Sequence, residues 1–178
     1  MAILIELEPA EMQDSVTFSR NAELIAIGVS SASFCAPNPL LQKTAESLST
    51  GIKFSPKEAA LLDQSMRAST SFEYIVRRTA KQKEADILVR IECVLTATYQ
   101  IRPGYTPSQS ELAAFHKANV VFNCWPYFRE FVQNASSRMN IPPPPVPFVR
   151  VQVRRETKSK EHSEKSRVKA LKGKSRVN

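Results

Sequence analysis

Two stretches of strict alternation and one of helical spacing predict an α+β chain in which a helix covers an antiparallel sheet. Met66, Ala68, Thr70, Phe72, Tyr74 and Val76 alternate with Arg67, Ser69, Ser71, Glu73, Ile75 and Arg77, the pattern of a strand with one buried face. After the polar link TAKQKEA, Ile87, Val89, Ile91, Cys93, Leu95, Ala97 and Tyr99 alternate with Arg90, Glu92, Thr96, Thr98 and Gln100. The two strands read as a long antiparallel hairpin. Further on, Val121, Trp125, Phe128, Val132, Ala135 and Met139 recur at spacings of four and three, which is one face of a helix.

The remaining elements follow in chain order. Residues 1–21 form an N-terminal extension with no assigned role, and residues 22–153 form the body. AELIAIGVSSASFC, from Ala22 to Cys35, is rich in small and β-branched residues and stops at APNP, whose prolines cannot continue a ladder; it reads as the first strand. Leu40 to Asp63 reads as a crossover connection, with a short strand at Gly51 to Phe54 and a brief helical turn in KEAALLDQ. RPGYTPSQSE is a turn-rich loop, and Pro126 places the start of the regular helix near itself. The prolines from Pro142 to Pro145, with Pro147, end that helix and favour an extended strap. Trp125, Phe128, Phe131 and Phe122 point in more than one direction, so part of the helix surface is expected to meet another subunit.

Composition removes several classes of function. The longest apolar runs are a few residues, far short of the roughly 20 needed to cross a bilayer. MAILIELEPAEMQD has no basic opening and carries glutamates within its apolar stretch, so no export signal is expected and a cytoplasmic location follows. Cys35, Cys93 and Cys124 are widely spaced, which fits small buried hydrophobes better than a disulfide framework or zinc knuckle. His116 and His162 have no ligand at metal spacing and read as solvated; no metal is expected. Four glycines and no Gly-rich loop or G-x-S-x-G elbow leave no basis for a nucleotide cofactor or for catalysis. Of the net charge of +8, residues 154–178 carry +7, so the body is close to neutral and the basic character belongs to a polar tail expected to be disordered. That tail could neutralise phosphates, yet it lacks an aromatic residue for base stacking, which ranks nucleic-acid binding third among the functions considered.

Two segments together resemble the SecB export-chaperone family. SASFCAPNP, with Phe34 and Ala36-Pro37-Asn38, is similar to the end of the family's first strand. NVVFNCWPYFREFVQNASSRMNIPPPPVPFVRV, with Pro126-Tyr127 and Arg129-Glu130, resembles its main helix, proline-containing loop and exit. The resemblance runs from about Ala22 to Val153. It implies a four-stranded antiparallel sheet packed with one long helix, and protomers assembling as a dimer of dimers, a homotetramer, through Val121, Trp125, Phe128, Val132 and Ala135. It also implies an ATP-independent holdase, with unfolded or extended polypeptides held in hydrophobic grooves for export or for the protection of a labile client. The candidate groove residues are Phe34, Leu40, Leu41, Phe54, Trp125, Phe128, Ile141, Val146 and Phe148. Family members are typically acidic and engage the SecA motor through an acidic sheet face. The mixed polar face here (Arg67, Glu73, Arg77, Arg90, Glu92) and the basic tail count against SecA docking. They favour a specialised relative, such as the SecB-like proteins that serve one antitoxin of a toxin–antitoxin pair.

Overall fold

In the computed structural model, which describes residues 2–36, 48–77, 87–142 and 145–154, a four-stranded antiparallel sheet carries a helical layer on one face. The chain runs β1 (Ala2–Leu7), α1 (Pro9–Ser19), β2 (Ala22–Cys35), β3 (Ser49–Leu62), β4 (Ser65–Arg77), β5 (Ile87–Ile101), α2 (Gln109–Phe115), a π-helical segment (His116–Val120), α3 (Val121–Arg138) and β6 (Phe148–Val153). The strand order is β2-β5-β4-β3, and β1 and β6 form a separate parallel ribbon.

The alternation in β4 and β5 does what it predicts. Met66, Ala68, Phe72 and Tyr74 on β4, and Ile91, Cys93, Leu95, Ala97 and Tyr99 on β5, are buried on one face. At roughly 25 cal/mol per Å² of apolar surface removed from water, burial of this layer favours closing the sheet under the helices. The Leu40–Asp63 reading needs correction: a single strand, β3, replaces the short strand and helical turn. Pro56 is tolerated because β3 is an edge strand with a register shift between Pro56 and Ala59. The β3–β4 turn uses Asp63 in the left-handed region (φ 53°), a conformation Asp accepts better than most residues.

The helix also differs from expectation. It starts at Gln109, not near Pro126, behind a reciprocal cap: Ser108 Oγ accepts from Glu111 N–H (3.2 Å), and the Glu111 carboxylate accepts from Ser108 N–H (2.7 Å). Pro126 lies inside α3 on its exposed side, where water can take the carbonyl that loses its partner. At the far end Asn140 (φ 55°) closes the helix, with Ile141 N–H on Ser136 O (3.0 Å) and Asn140 N–H on Ser137 O (3.1 Å).

The N-terminal residues are built into the body. Ile5, Leu7 and Phe18 are buried, and β1 pairs with β6 from Ala2–Phe148 to Leu7–Val153. Phe18 meets Phe115 edge-on at 4.6 Å, so α1 is seated on α2. Lys117 Nζ donates to both Glu11 oxygens (2.8 Å each), and this contact, followed by the Glu8 N–H, holds the Glu11 carboxyl below its usual pKa.

His116, expected in solvent, is buried, with Nε2 2.9 Å from the Ser69 carbonyl oxygen, which fits a neutral ring donating from Nε2. Of the cysteines, Cys93 and Cys124 are buried as expected, but Cys35 is exposed at the end of an edge strand. Burial lowers the His116 pKa, outweighing the opposing effect of the carbonyl contact. The unfolded chain takes up this proton near its ordinary pKa of about 6.5, whereas the folded chain resists. The contribution of a neutral His116 is therefore complete above about pH 6.5 and is lost as pH falls below it toward the folded value. Urea unfolding across a pH series is expected to show stability declining in that window, and His116→Gln to flatten the decline; an unchanged slope in the variant would assign the effect to other groups.

Candidate functional site

Helix α3 decides where apolar surface is hidden and where it is left over. Its stripe of Val121, Cys124, Trp125, Phe128, Val132 and Ala135 is buried within the protomer. Phe128 stacks on Phe72 of β4 at 4.9 Å, and Trp125 lies 6.0 Å from Phe72 and 6.2 Å from Phe54 of β3. This corrects the assembly residues: Val121, Trp125, Phe128, Val132 and Ala135 are core, because a sheet face built from Met66, Phe72, Ile91 and Leu95 needs that whole stripe to cover it. Phe122 and Tyr127 are the large apolar side chains of α3 that remain exposed.

The groove residues divide into two groups. Phe34 lies on β2 and Phe54 on β3, the two edges of the sheet, three inter-strand steps or about 14 Å apart. On the β2 side, Phe34 is 38% exposed with Phe131 at 6.5 Å, and Ile27, Val29, Tyr127 and Phe131 line a cleft of about 200 Å³. On the β3 side, the half-buried Phe54 packs on Trp125, Ile141 is half-buried against the core, and Val146 is buried two residues before Phe148, which is 66% exposed. The indole Nε1–H of Trp125 donates to the Pro147 carbonyl at 2.9 Å and pins the end of the proline segment to the helix. Trp125 and Phe128 are thus floor, not wall. Leu40 and Leu41 lie outside the described residues.

Sequence reasoning missed part of this surface. Ile25 (59% exposed) and Val29 (56%) sit on β2, and Phe131 and Tyr127 join Val29 from α3. The β-branched richness of β2 marked it as a strand, but only the strand order makes it an edge.

The opposite sheet face is polar. Ser31, Ser33, Ser55 and Ser71 surround a shallow depression of about 570 Å³ in which Glu73 meets Lys53 (3.9 Å) and Arg90 (3.6 Å), and Arg90 meets Glu92 (3.9 Å). These are solvated pairs of alternating sign, each worth little on its own. Burial pushes the Cys93 and Cys124 thiols up to about 12, so neither offers a thiolate nucleophile near neutral pH. Among the described residues no three His, Cys, Asp or Glu side chains stand together as a metal site, and no helix is long and apolar enough to cross a membrane.

No family model and no curated protein matches the chain. Among solved structures it is similar to the Rv1957 SecB-like chaperone of Mycobacterium tuberculosis, determined in complex with a ChAD peptide from the Rv1956 HigA1 antitoxin. The TM-score is 0.64 at 16% identity, over 78% of this chain and 98% of that one. A Streptococcus agalactiae protein of unknown function aligns at a TM-score of 0.40 and 11% identity, over 71% of this chain and 97% of the other. With the four antiparallel strands, the long covering helix and the first of these alignments in agreement, the chain has a divergent SecB-like fold.

Proposed function

We propose that this protein is an ATP-independent chaperone that holds extended polypeptide segments on the apolar surface left on either side of α3. The observation that carries the reading is the placement of Phe34, Val29, Phe54 and Phe148. They are partly or largely exposed: Phe34 and Val29 lie on the β2 edge of the sheet, Phe54 on the β3 edge and Phe148 on the β1–β6 ribbon, around a helix whose own stripe is already used in the core. Exposed apolar side chains that accept many sequences are what a holdase needs. No chemistry of its own is required, and a cytoplasmic location belongs to the proposal. The M. tuberculosis neighbour, solved with an antitoxin peptide, supports an extended client and favours a second form of the reading, in which one dedicated partner takes the place of many clients.

Assembly is part of the proposal. β3 is a guarded edge, carrying Lys53, Pro56 and Lys57 and a register shift. β2 also has register shifts, between Leu24 and Ala26 and between Val29 and Ser31, but in fourteen residues it has no Lys and no Pro, and it exposes Ile25 and Val29. An edge of that length without Lys or Pro calls for a partner strand, and pairing of β2 with its copy would join two sheets into one. The exposed Phe122 and Tyr127 would then serve contacts between such dimers in a homotetramer.

Diluting a chemically unfolded, unrelated protein into buffer with stoichiometric amounts of this chain is expected to suppress its aggregation without nucleotide. Binding of one labelled partner peptide without any general suppression would favour the dedicated form, and neither effect would refute both. For assembly, light scattering is expected to give a tetramer mass, and a double Ile25→Lys, Val29→Lys variant to give smaller species with the fold retained by circular dichroism. A monomer mass for the unmodified chain would contradict the assembly model.

A further inference from the structure

The outward face of the β1–β6 ribbon combines exposed apolar side chains with arginines that have no acidic partner. Along β6, Phe148, Arg150 and Gln152 share the outward row, since Val149 is buried and Val151 packs on the core. In register beside them on β1 are Ala2, Leu4 and Glu6, with Leu4 next to Arg150 and exposed. From α3, the Arg129 guanidinium carbon lies 4.7 Å from the centroid of the Phe148 ring. The corner therefore has one aromatic ring, one leucine and two cations.

The nearby carboxylates are committed elsewhere. Arg154 occupies Glu8 (2.8 Å) and Glu6 (3.5 Å), and Gln152 also donates to Glu6. Glu130 follows Arg129 directly, so it points to another side of the helix, and it lines the cleft on the β2 side. Among the described residues, neither Arg129 nor Arg150 forms an ion pair, and the buried Nε of Arg129 has no hydrogen-bond partner. Among the described residues, β6 has β1 on one edge and no strand on the other.

From this juxtaposition we infer that the Arg129–Phe148–Arg150 corner is a specificity subsite for an extended peptide carrying an acidic side chain next to an apolar or aromatic one. The inference rests on the chaperone reading and narrows its client class. A guanidinium stacked on a ring keeps its N–H groups for a carboxylate in its plane, which Lys would not do as well. The open side of Phe148 offers an apolar contact to the neighbouring residue. An extended backbone at the free edge of β6 would send alternate side chains to this outward row. A client segment rich in Lys or Arg would meet two like charges there and be rejected.

The test uses fluorescence anisotropy with the full chain and three labelled peptides, alike except for a central Phe-Glu-Leu, Phe-Gln-Leu or Phe-Lys-Leu. The Glu peptide is expected to bind about five-fold tighter than the Gln peptide, as for a solvent-accessible charge pair, and the Lys peptide more weakly than either. Raised salt is expected to shrink the difference. Arg150→Gln, a change at an exposed position, should reduce the Glu preference on its own, and adding Arg129→Gln should abolish it while the Gln peptide stays within about two-fold of its original affinity. Equal binding of the three peptides, or variants that weaken the Glu and Gln peptides alike, would overturn the subsite and leave the chaperone reading standing. Absence of binding by all three peptides would overturn both.

Discussion

The packing of three rings, Phe72 on β4 with Trp125 and Phe128 on α3, is the contact on which the rest of the architecture depends. Phe72 and Phe128 stack at 4.9 Å, and Trp125 reaches across to Phe54 on the edge strand β3. Such pairs contribute about 0.5–1.5 kcal/mol each beyond the surface they bury. Their larger effect is geometric. By fixing α3 over β4 and β5 with its apolar stripe facing the sheet, they remove that stripe from any partner and leave the flanks, at β2 and at β3 with β6, as the accessible apolar surface.

A second constraint follows from the first. Trp125 is buried deeply enough that its indole N–H requires an acceptor, and the Pro147 carbonyl at 2.9 Å supplies it. That bond sets where the chain leaves the proline segment and so where β6 begins. β6 in turn receives β1 along its whole length, ending with Arg154 N–H on Leu7 O at 2.8 Å. The N-terminus is thereby stitched to a strand 146 residues away, and Phe148 and Arg150 are turned outward. The exposed surface proposed to receive clients is a consequence of how the core is closed.

How much of this the sequence reveals depends on whether the cause is local. The β4–β5 hairpin is legible because central strands with one buried face alternate from Met66 to Tyr74 and from Val89 to Tyr99, the pattern lapsing only where Ile75 and Leu88 are also buried. β3 is not, because an edge strand exposed over most of its length has little reason to alternate, and its turn at Asp63 and Gln64 lacks the glycine that marks most tight hairpins. Ile3, Ile5 and Leu7 do alternate in β1, but pairing with a strand at the other end of the chain leaves no mark in either segment. Pro126 misplaced the start of the helix, whereas the Ser108–Glu111 cap, present in the sequence, identifies the start of α2 at Gln109. In the candidate site, Phe34 and Phe54 are legible as apolar residues in strands and Phe148 as one in an extended strap, while their separation onto two flanks, and the withdrawal of Trp125 and Phe128 into the core, depend on strand order and helix orientation.

The central claim is that the flanks of α3, and not the polar outer face of the sheet, receive extended polypeptides. Site-specific photo-cross-linking tests it most directly: a photoreactive phenylalanine analogue is placed at Phe148 in one variant and at Ser71 in another, and each is illuminated with a permanently unfolded client. The account predicts an adduct from position 148 and none from position 71. An adduct from position 71 alone would place clients on the serine-lined sheet face and contradict it.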